Sequence, residues 1–96
     1  MSLRIPPSLH LRVITPEKLL VESDVDMVML PSLDGYLGIL PGHRPLVASL
    51  GVGKLIYRWA KKEAAIPVQG GYAEIQPDKV LVFTELGQDE DLSSLG

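Results

Sequence analysis

Prolines and glycines cut this chain so often that long helices are excluded: eight Pro and nine Gly fall within 96 residues. Each Pro fixes φ and removes a backbone donor, and each Gly inside a helix costs about 1 kcal/mol relative to Ala. Between these interruptions apolar and polar side chains alternate with a period of two, the period of strands. Leu9, Leu11 and Val13 alternate with His10 and Arg12 until Pro16 stops the run, and Lys18 to Glu22 reads as a second strand pairing back onto the first. Val25, Met27 and Met29 share one face of a third strand with Asp26 opposite. Val28 and Leu30 then make both faces apolar, as expected where a strand enters the middle of a molecule. Tyr36 to Leu40, Leu46 to Leu50, Leu55 to Trp59, Ala64 to Gln69, Tyr72 to Gln76 and Val80 to Glu85 follow as further strands.

Turn signals separate them. They fall at Ser32 to Gly35, at Gly51-Val52-Gly53, at the charged tip Lys61-Lys62-Glu63 and at Pro77-Asp78-Lys79, with a break or bulge at Gly70-Gly71. About nine short strands at such regular spacing predict an all-β fold of two layers, since one flat sheet would leave half of this apolar content in water.

A chain of this length is one domain that buries roughly 60 to 65% of its unfolded surface. With 46% apolar residues and no Cys, its stability rests on packing rather than on disulfides or a thiolate metal site. Nine basic and twelve acidic residues give a net charge of −3, which argues against nucleic acid as a partner, because phosphate binding needs a basic face. No apolar run approaches the roughly 20 residues of a membrane span, and the N-terminus lacks the apolar core of a signal peptide, so any work at a membrane is expected to pass through another protein. Residues 1–8 read as a lead-in without strand pattern. Residues 88–96, Gln88-Asp89-Glu90-Asp91-Leu92-Ser93-Ser94-Leu95-Gly96, read as an acidic tail or the start of a helix.

One stretch stands apart: Asp34-Gly35-Tyr36-Leu37-Gly38-Ile39-Leu40-Pro41-Gly42-His43-Arg44-Pro45-Leu46. Asp34-Gly35 is a turn dipeptide, because Gly takes positive φ without a Cβ clash and Asp tolerates left-handed geometry. Pro41 and Pro45 push Leu40 and Arg44 towards extended backbone, so the segment between them forms a braced loop with His43 and Arg44 at its tip.

The pattern Gly35-x-x-Gly38-Ile39-x-Pro41-x-His43-x-Pro45-Leu46 resembles the signature loop of the ε subunit of F-type ATP synthases, the subunit called δ in mitochondria. Val13-Ile14-Thr15-Pro16-Glu17, and Gly70-Gly71-Tyr72-Ala73-Glu74-Ile75 followed by Val80-Leu81-Val82, agree in order and spacing, so the resemblance runs from about Leu9 to Leu86. It implies a flattened two-sheet β-sandwich of about ten short strands over residues 9–87. It further implies a non-catalytic central-stalk subunit between the γ subunit and the membrane c-ring of a proton- or sodium-translocating ATP synthase, on the cytoplasmic face of a bacterial inner membrane or its matrix or stromal equivalent. By that resemblance Tyr36, His43, Arg44, Pro45 and Val47 face the c-ring, Gly35, Gly38, Pro41 and Gly42 shape the loop, and Gly70 and Gly71 fall on the γ-facing side. The family often has an acidic residue at the place of Tyr36 and a small one at that of Arg44; this chain has a ring and a cation. In the family the position of residues 88–96 opens a C-terminal helical hairpin, which in bacterial members can inhibit ATP hydrolysis and in some binds ATP. These residues are too few to build that hairpin, so neither property is assigned to them.

Catalysis needs a positioned nucleophile, an acid/base pair or a metal, and the inventory offers two His, no Cys and no nucleophile-elbow or metal-ligand spacing. No catalytic residue, metal or cofactor is therefore expected. His10 reads as a polar-face strand histidine, and His43 either as a loop histidine bonding backbone or as an interface contact. Asp24 and Asp26 read as one solvated edge rather than a functional pair. Glu74 reads as part of a solvent-facing row with Tyr72 and Gln76, and at least one of Tyr57 and Trp59 belongs in the core. Two alternatives are weaker: a lipoyl or biotinyl carrier domain with Lys79 at a hairpin tip, and a sandwich module binding carbohydrate or another ligand through Trp59. Five aromatics in the whole chain leave few for an exposed binding face.

Overall fold

A computed structural model describes residues 4–87. Eight strands follow one another: β1 Leu9–Ile14, β2 Leu19–Val25, β3 Met27–Ser32, β4 Gly35–Ile39, β5 Leu46–Ser49, β6 Val52–Trp59, β7 Lys62–Gln76 and β8 Lys79–Leu86. They join into one mixed sheet in the order β2-β1-β8-β7-β6-β3-β4, with β5 also paired to β7. The pairing of β1 with β8 is parallel; neighbouring pairs elsewhere are antiparallel.

The all-β, two-layered expectation holds, with a refinement: the layers are two halves of a single folded sheet. The first half of β7 pairs with β6 and the second half with β5, while β8 follows β7 through the corner, with the register broken between Gln69 and Tyr72. Among the described residues the strands number eight, one fewer than the nine of the sequence pattern, because β7 runs its 15 residues through the corner without ending. The core lies between the layers. Leu9, Leu11 and Val13 of β1, Ala73 and Ile75 of β7, and Val80 and Val82 of β8 enter it from one side; Val28 and Leu30 of β3, Ile39 of β4, Leu55 of β6 and Val68 of β7 enter from the other. Alternate residues on these strands are the ones buried, as a pleated ribbon with one inner face requires.

Corners explain where the sequence pattern misleads. At Asp26 the chain leaves β2 for β3: its N–H donates to the Arg58 carbonyl at 2.7 Å, and its Oδ2 accepts the Ala60 N–H at 3.0 Å. The turn at this point shifts the alternation. Val25 is buried, but the inward residues of β3 are Val28 and Leu30, while Met27 and Met29 are half-buried. A second corner is made jointly by Leu50-Gly51 and Gly70-Gly71, tied by Leu50 N–H to Gly71 carbonyl at 2.9 Å and Gly70 N–H to Gly51 carbonyl at 3.0 Å. Gly51 alone turns there, and Val52 and Gly53 already belong to β6, so the expected Gly51-Val52-Gly53 turn is shorter than predicted. Gly71, at φ 95°, passes so close to β8 that a Cβ would lie 1.9 Å from the Phe83 carbonyl oxygen. The Thr84 hydroxyl donates to the Gly70 carbonyl at 2.6 Å and locks the bend.

Residues 4–8 carry no strand. The expected tail or helix start at 88–96 lies outside the described residues.

Candidate docking surface

The hairpin β3–β4 is closed by Ser32, whose Oγ accepts the Asp34 N–H at 3.3 Å and whose hydroxyl also bonds the Gly35 carbonyl. Leu33 and Asp34 form the turn, and Gly35 begins β4 at φ 115°, a conformation that costs a glycine little. Next comes Tyr36, 56% exposed. β3 pairs with β6 only from Met27 opposite Arg58 to Met29 opposite Ile56, and Pro31 further along has no N–H to extend the ladder. The Pro31 carbonyl instead accepts Gly51 N–H at 2.8 Å, and the Tyr36 hydroxyl reaches over Pro31 to accept the Lys54 N–H at 3.0 Å. Gly53 makes room, since a Cβ there would sit 2.8 Å from both the Tyr36 hydroxyl and Pro31 Cβ.

A groove of about 510 Å³ runs between this hairpin and β5, with Leu33, Asp34, Tyr36, Leu46 and Val47 along it. Leu33 and Val47 are 70% and 67% exposed. Asp34 supplies the one formal charge among its lining residues.

At the other end of β4 lies the proline-braced loop. The Leu40 carbonyl accepts the His43 N–H at 3.2 Å, which closes a turn with Pro41 and Gly42 at its centre; Gly42 has φ 90°, the positive value that a type II turn requires at that position. The loop is tethered, because Gly42 N–H donates to the Pro77 carbonyl at 2.7 Å and Ile5 packs over Gly42. His43 Nδ1–H donates to the Arg44 carbonyl at 2.7 Å, so the backbone-bonding reading of this histidine describes one of its nitrogens. Arg44 and Pro45 are exposed.

The residues singled out from the sequence thus fall into separate places. Gly35, Tyr36 and Val47 meet at the groove; Pro41, Gly42, His43, Arg44 and Pro45 sit beside the Pro77 turn and do not line it. Gly38 lies between the two, exposed, with open space where a Cβ would be, so the backbone does not demand glycine there as it does at Gly35 and Gly42. Gly70 and Gly71 are held by the layer corner, which accounts for both glycines structurally. Pattern reading passed over Leu33 and Lys54 and took Gly53 for a turn residue; a proline inside the otherwise central-looking run Met27 to Ser32 was the available signal.

Elsewhere the residues do structural work. Asp24 and Asp26 do not form one edge: Asp26 holds the β6–β7 turn, and Asp24 Oδ1 is 2.9 Å from His10 Nδ1. His10 Nε2 is 2.9 Å from Glu22 Oε2, and these hydrogen bonds, first to Asp24 and then to Glu22, raise the His10 pKa above its ordinary value. Glu74 is half-buried between exposed Tyr72 and Gln76. Tyr57 and Trp59 are half-buried against the core and stacked with ring centroids 5.3 Å apart. Among the described residues no group of three or more His, Cys, Asp or Glu is placed to hold a metal ion, and no helix is long and apolar enough to cross a membrane.

The family described as the β-sandwich domain of the ATP synthase delta/epsilon chain matches residues 8–87. The chain is similar to the ATP synthase epsilon chain of Lawsonia intracellularis, 44% identical over 81 residues that cover 84% of this chain and 61% of that one. A similar relative from Leptospira interrogans serovar copenhageni is 41% identical over 87 residues, covering 88% of this chain and 68% of its own. Among solved structures, the Euglena gracilis mitochondrial ATP synthase (OSCP/F1/c-ring) contains a chain that superposes with TM-score 0.82 at 22% identity, over 96% of this chain and 63% of that one. The central stalk/c-ring of the Tetrahymena thermophila mitochondrial ATP synthase contains another, with TM-score 0.69 at 15% identity, over 85% and 66%. Both structural likenesses bear on fold alone. This chain spans about three fifths of the length of the Lawsonia relative.

Proposed function

Because this chain belongs to the family of the ATP synthase delta/epsilon β-sandwich domain, we propose that it is a non-catalytic coupling piece of a rotary ATP synthase. In this reading it sits in the central stalk between the γ subunit and the c-ring of a proton- or sodium-translocating enzyme, peripheral to the cytoplasmic face of a bacterial membrane or its organellar equivalent. The observation that carries the reading is the pairing of a close-packed two-layer body with an exposed, internally braced surface at β4, β5 and the loop between them. Torque passes through a joining piece only if it deforms less than its neighbours, and a close-packed interior transmits strain. Corner hydrogen bonds between Leu50-Gly51 and Gly70-Gly71 oppose shear of one layer over the other.

Tyr36 and Val47 then form an apolar half of the c-ring contact, and His43, Arg44 and Pro45 a polar half at the far end of β4. Exposed aliphatic and aromatic groups in a groove can anchor a partner, whereas a rim charge such as Arg44 contributes about 0 to 1 kcal/mol. The γ-facing side is proposed to include the Gly70-Gly71 corner. Purification of the native assembly from host membranes, with partners identified by mass, tests the reading. Retention of γ and c subunits is the expected result; a protein recovered only as a free species, or with glycans or a lipoyl adduct at Lys79, would reject it.

A further inference from the structure

β1 and β2 are paired in the register His10 opposite Asp24 and Arg12 opposite Glu22, which places two basic and two acidic side chains on one outer face. The His10 ring lies between the acids, with Nδ1 2.9 Å from Asp24 Oδ1 and Nε2 2.9 Å from Glu22 Oε2. A neutral imidazole has one N–H and one lone pair, so it can donate to one carboxylate and must turn its lone pair on the other. Imidazolium alone donates to both.

Other charged groups face the same ring. Lys79 of β8 stands opposite His10 in the parallel ladder, and Arg12 Nε is 3.6 Å from Glu22 Oε2. Glu74 and Gln76 of β7 lie around the same shallow depression, and the His10 backbone N–H is held by the Asp78 carbonyl at 2.8 Å. Arg12 and Lys79 oppose a proton on the ring; Glu22, Asp24 and Glu74 favour it. The two direct hydrogen bonds, to Asp24 first and then to Glu22, are the nearest of these influences and raise the His10 pKa against the smaller lowering by burial.

We infer that His10, Glu22 and Asp24 form a proton-operated clasp on the β2 edge of the sandwich. β2 is the terminal strand of the sheet order, with β1 as its ladder neighbour, and its register already slips between Val13 and Ile14. With His10 protonated, both carboxylates of β2 are fastened to β1. Loss of that proton releases one carboxylate, leaves Glu22 to Arg12, and loosens the strand. Because the folded pKa is raised, the clasp is fully closed below the unfolded value of about 6.5 and opens as pH rises through the folded value.

An NMR titration of the 96-residue protein over about pH 5.5 to 8.5 tests this, reading the His10 ring signals together with amide exchange protection of β2 and β6. The expected result is a His10 midpoint above the ordinary histidine value, with β2 protection falling through the same midpoint while β6 holds. In the Glu22→Gln, Asp24→Asn double variant the midpoint should return towards the ordinary value and the β2 step should disappear. A His10 midpoint at or below the ordinary value, flat β2 protection across the titration, or a step that survives in the double variant would overturn the clasp.

Discussion

The hydroxyl of Tyr36 on β4 accepts the backbone N–H of Lys54 on β6 at 3.0 Å, reaching across β3 at Pro31, where β3 no longer pairs with β6. This contact ties an exposed ring to the backbone of a second strand. Tyr36→Phe should therefore cost about 0.5 to 1.5 kcal/mol, read as a melting temperature lower by a few degrees for a domain of this size. Binding at the groove should weaken further than that loss of stability accounts for, because a free ring pays rotamer entropy on docking. Calorimetric melting beside a binding titration would separate the two effects.

Gly71 and Gly38 make a contrasting pair. Gly71→Ala brings a Cβ against the Phe83 carbonyl at a conformation reserved for glycine, so strain and overpacking together should cost about 2 to 4 kcal/mol. Gly38→Ala meets open space and should change stability by less than about 1 kcal/mol. Urea melts of the two variants check both values.

The β6–β7 turn is built from Ala60 and Lys61, both left-handed at φ 47° and 69°, with Asp26 receiving the Ala60 N–H. Neither residue suits that backbone, which favours Asn-Gly. Ala60→Asn with Lys61→Gly should raise stability by about 1 kcal/mol, whereas Asp26→Ala should lower it by about 1 kcal/mol through the lost acceptor. Thermal melts of both variants would test the opposite signs.

Much of the fold was legible in the chain. Leu9, Leu11, Val13, Ala73, Ile75, Val80 and Val82 are all buried where alternation places them, because a strand with one inner face obeys a strict period of two. Gly70-Gly71 marks the bend for a local reason, positive φ. The period failed at Asp26, where the chain changes layers and the pattern shifts from Val25 to Val28; a corner held by distant partners, Arg58 and Ala60, leaves no trace in local sequence. Cross-strand relations were equally hidden. His10 read as an ordinary polar-face histidine because Glu22 and Asp24 reach it through register, and Tyr36 read as a contact residue with no sign of its backbone partner because Lys54 lies 18 positions away. The candidate surface was recognised as residues but not as two places, since nothing in the stretch from Asp34 to Leu46 states that β4 separates its ends.

If the loop acts by contact and the body by stiffness, His43→Ala with Arg44→Ala should weaken assembly with the c-ring and γ while the melting temperature stays within a few degrees. Unfolding of the double variant would instead make the loop a structural brace. The 96-residue chain by itself should hydrolyse no ATP and show no shift in melting temperature at millimolar nucleotide, where a bound ligand would raise it.

The chain has no Cys, so a single thiol placed by Val47→Cys is unique, and Ala65→Cys on β7, away from the groove residues, supplies a control. Labelling each thiol with a benzophenone maleimide, whose photoactivated carbonyl inserts into a nearby C–H bond, and irradiating the variants in host membranes reports directly what touches the groove. Coupling through this surface predicts a covalent product between Val47→Cys and the c subunit, and none from Ala65→Cys; a c-subunit product from the control alone, or from neither variant in assembled complexes, would contradict it.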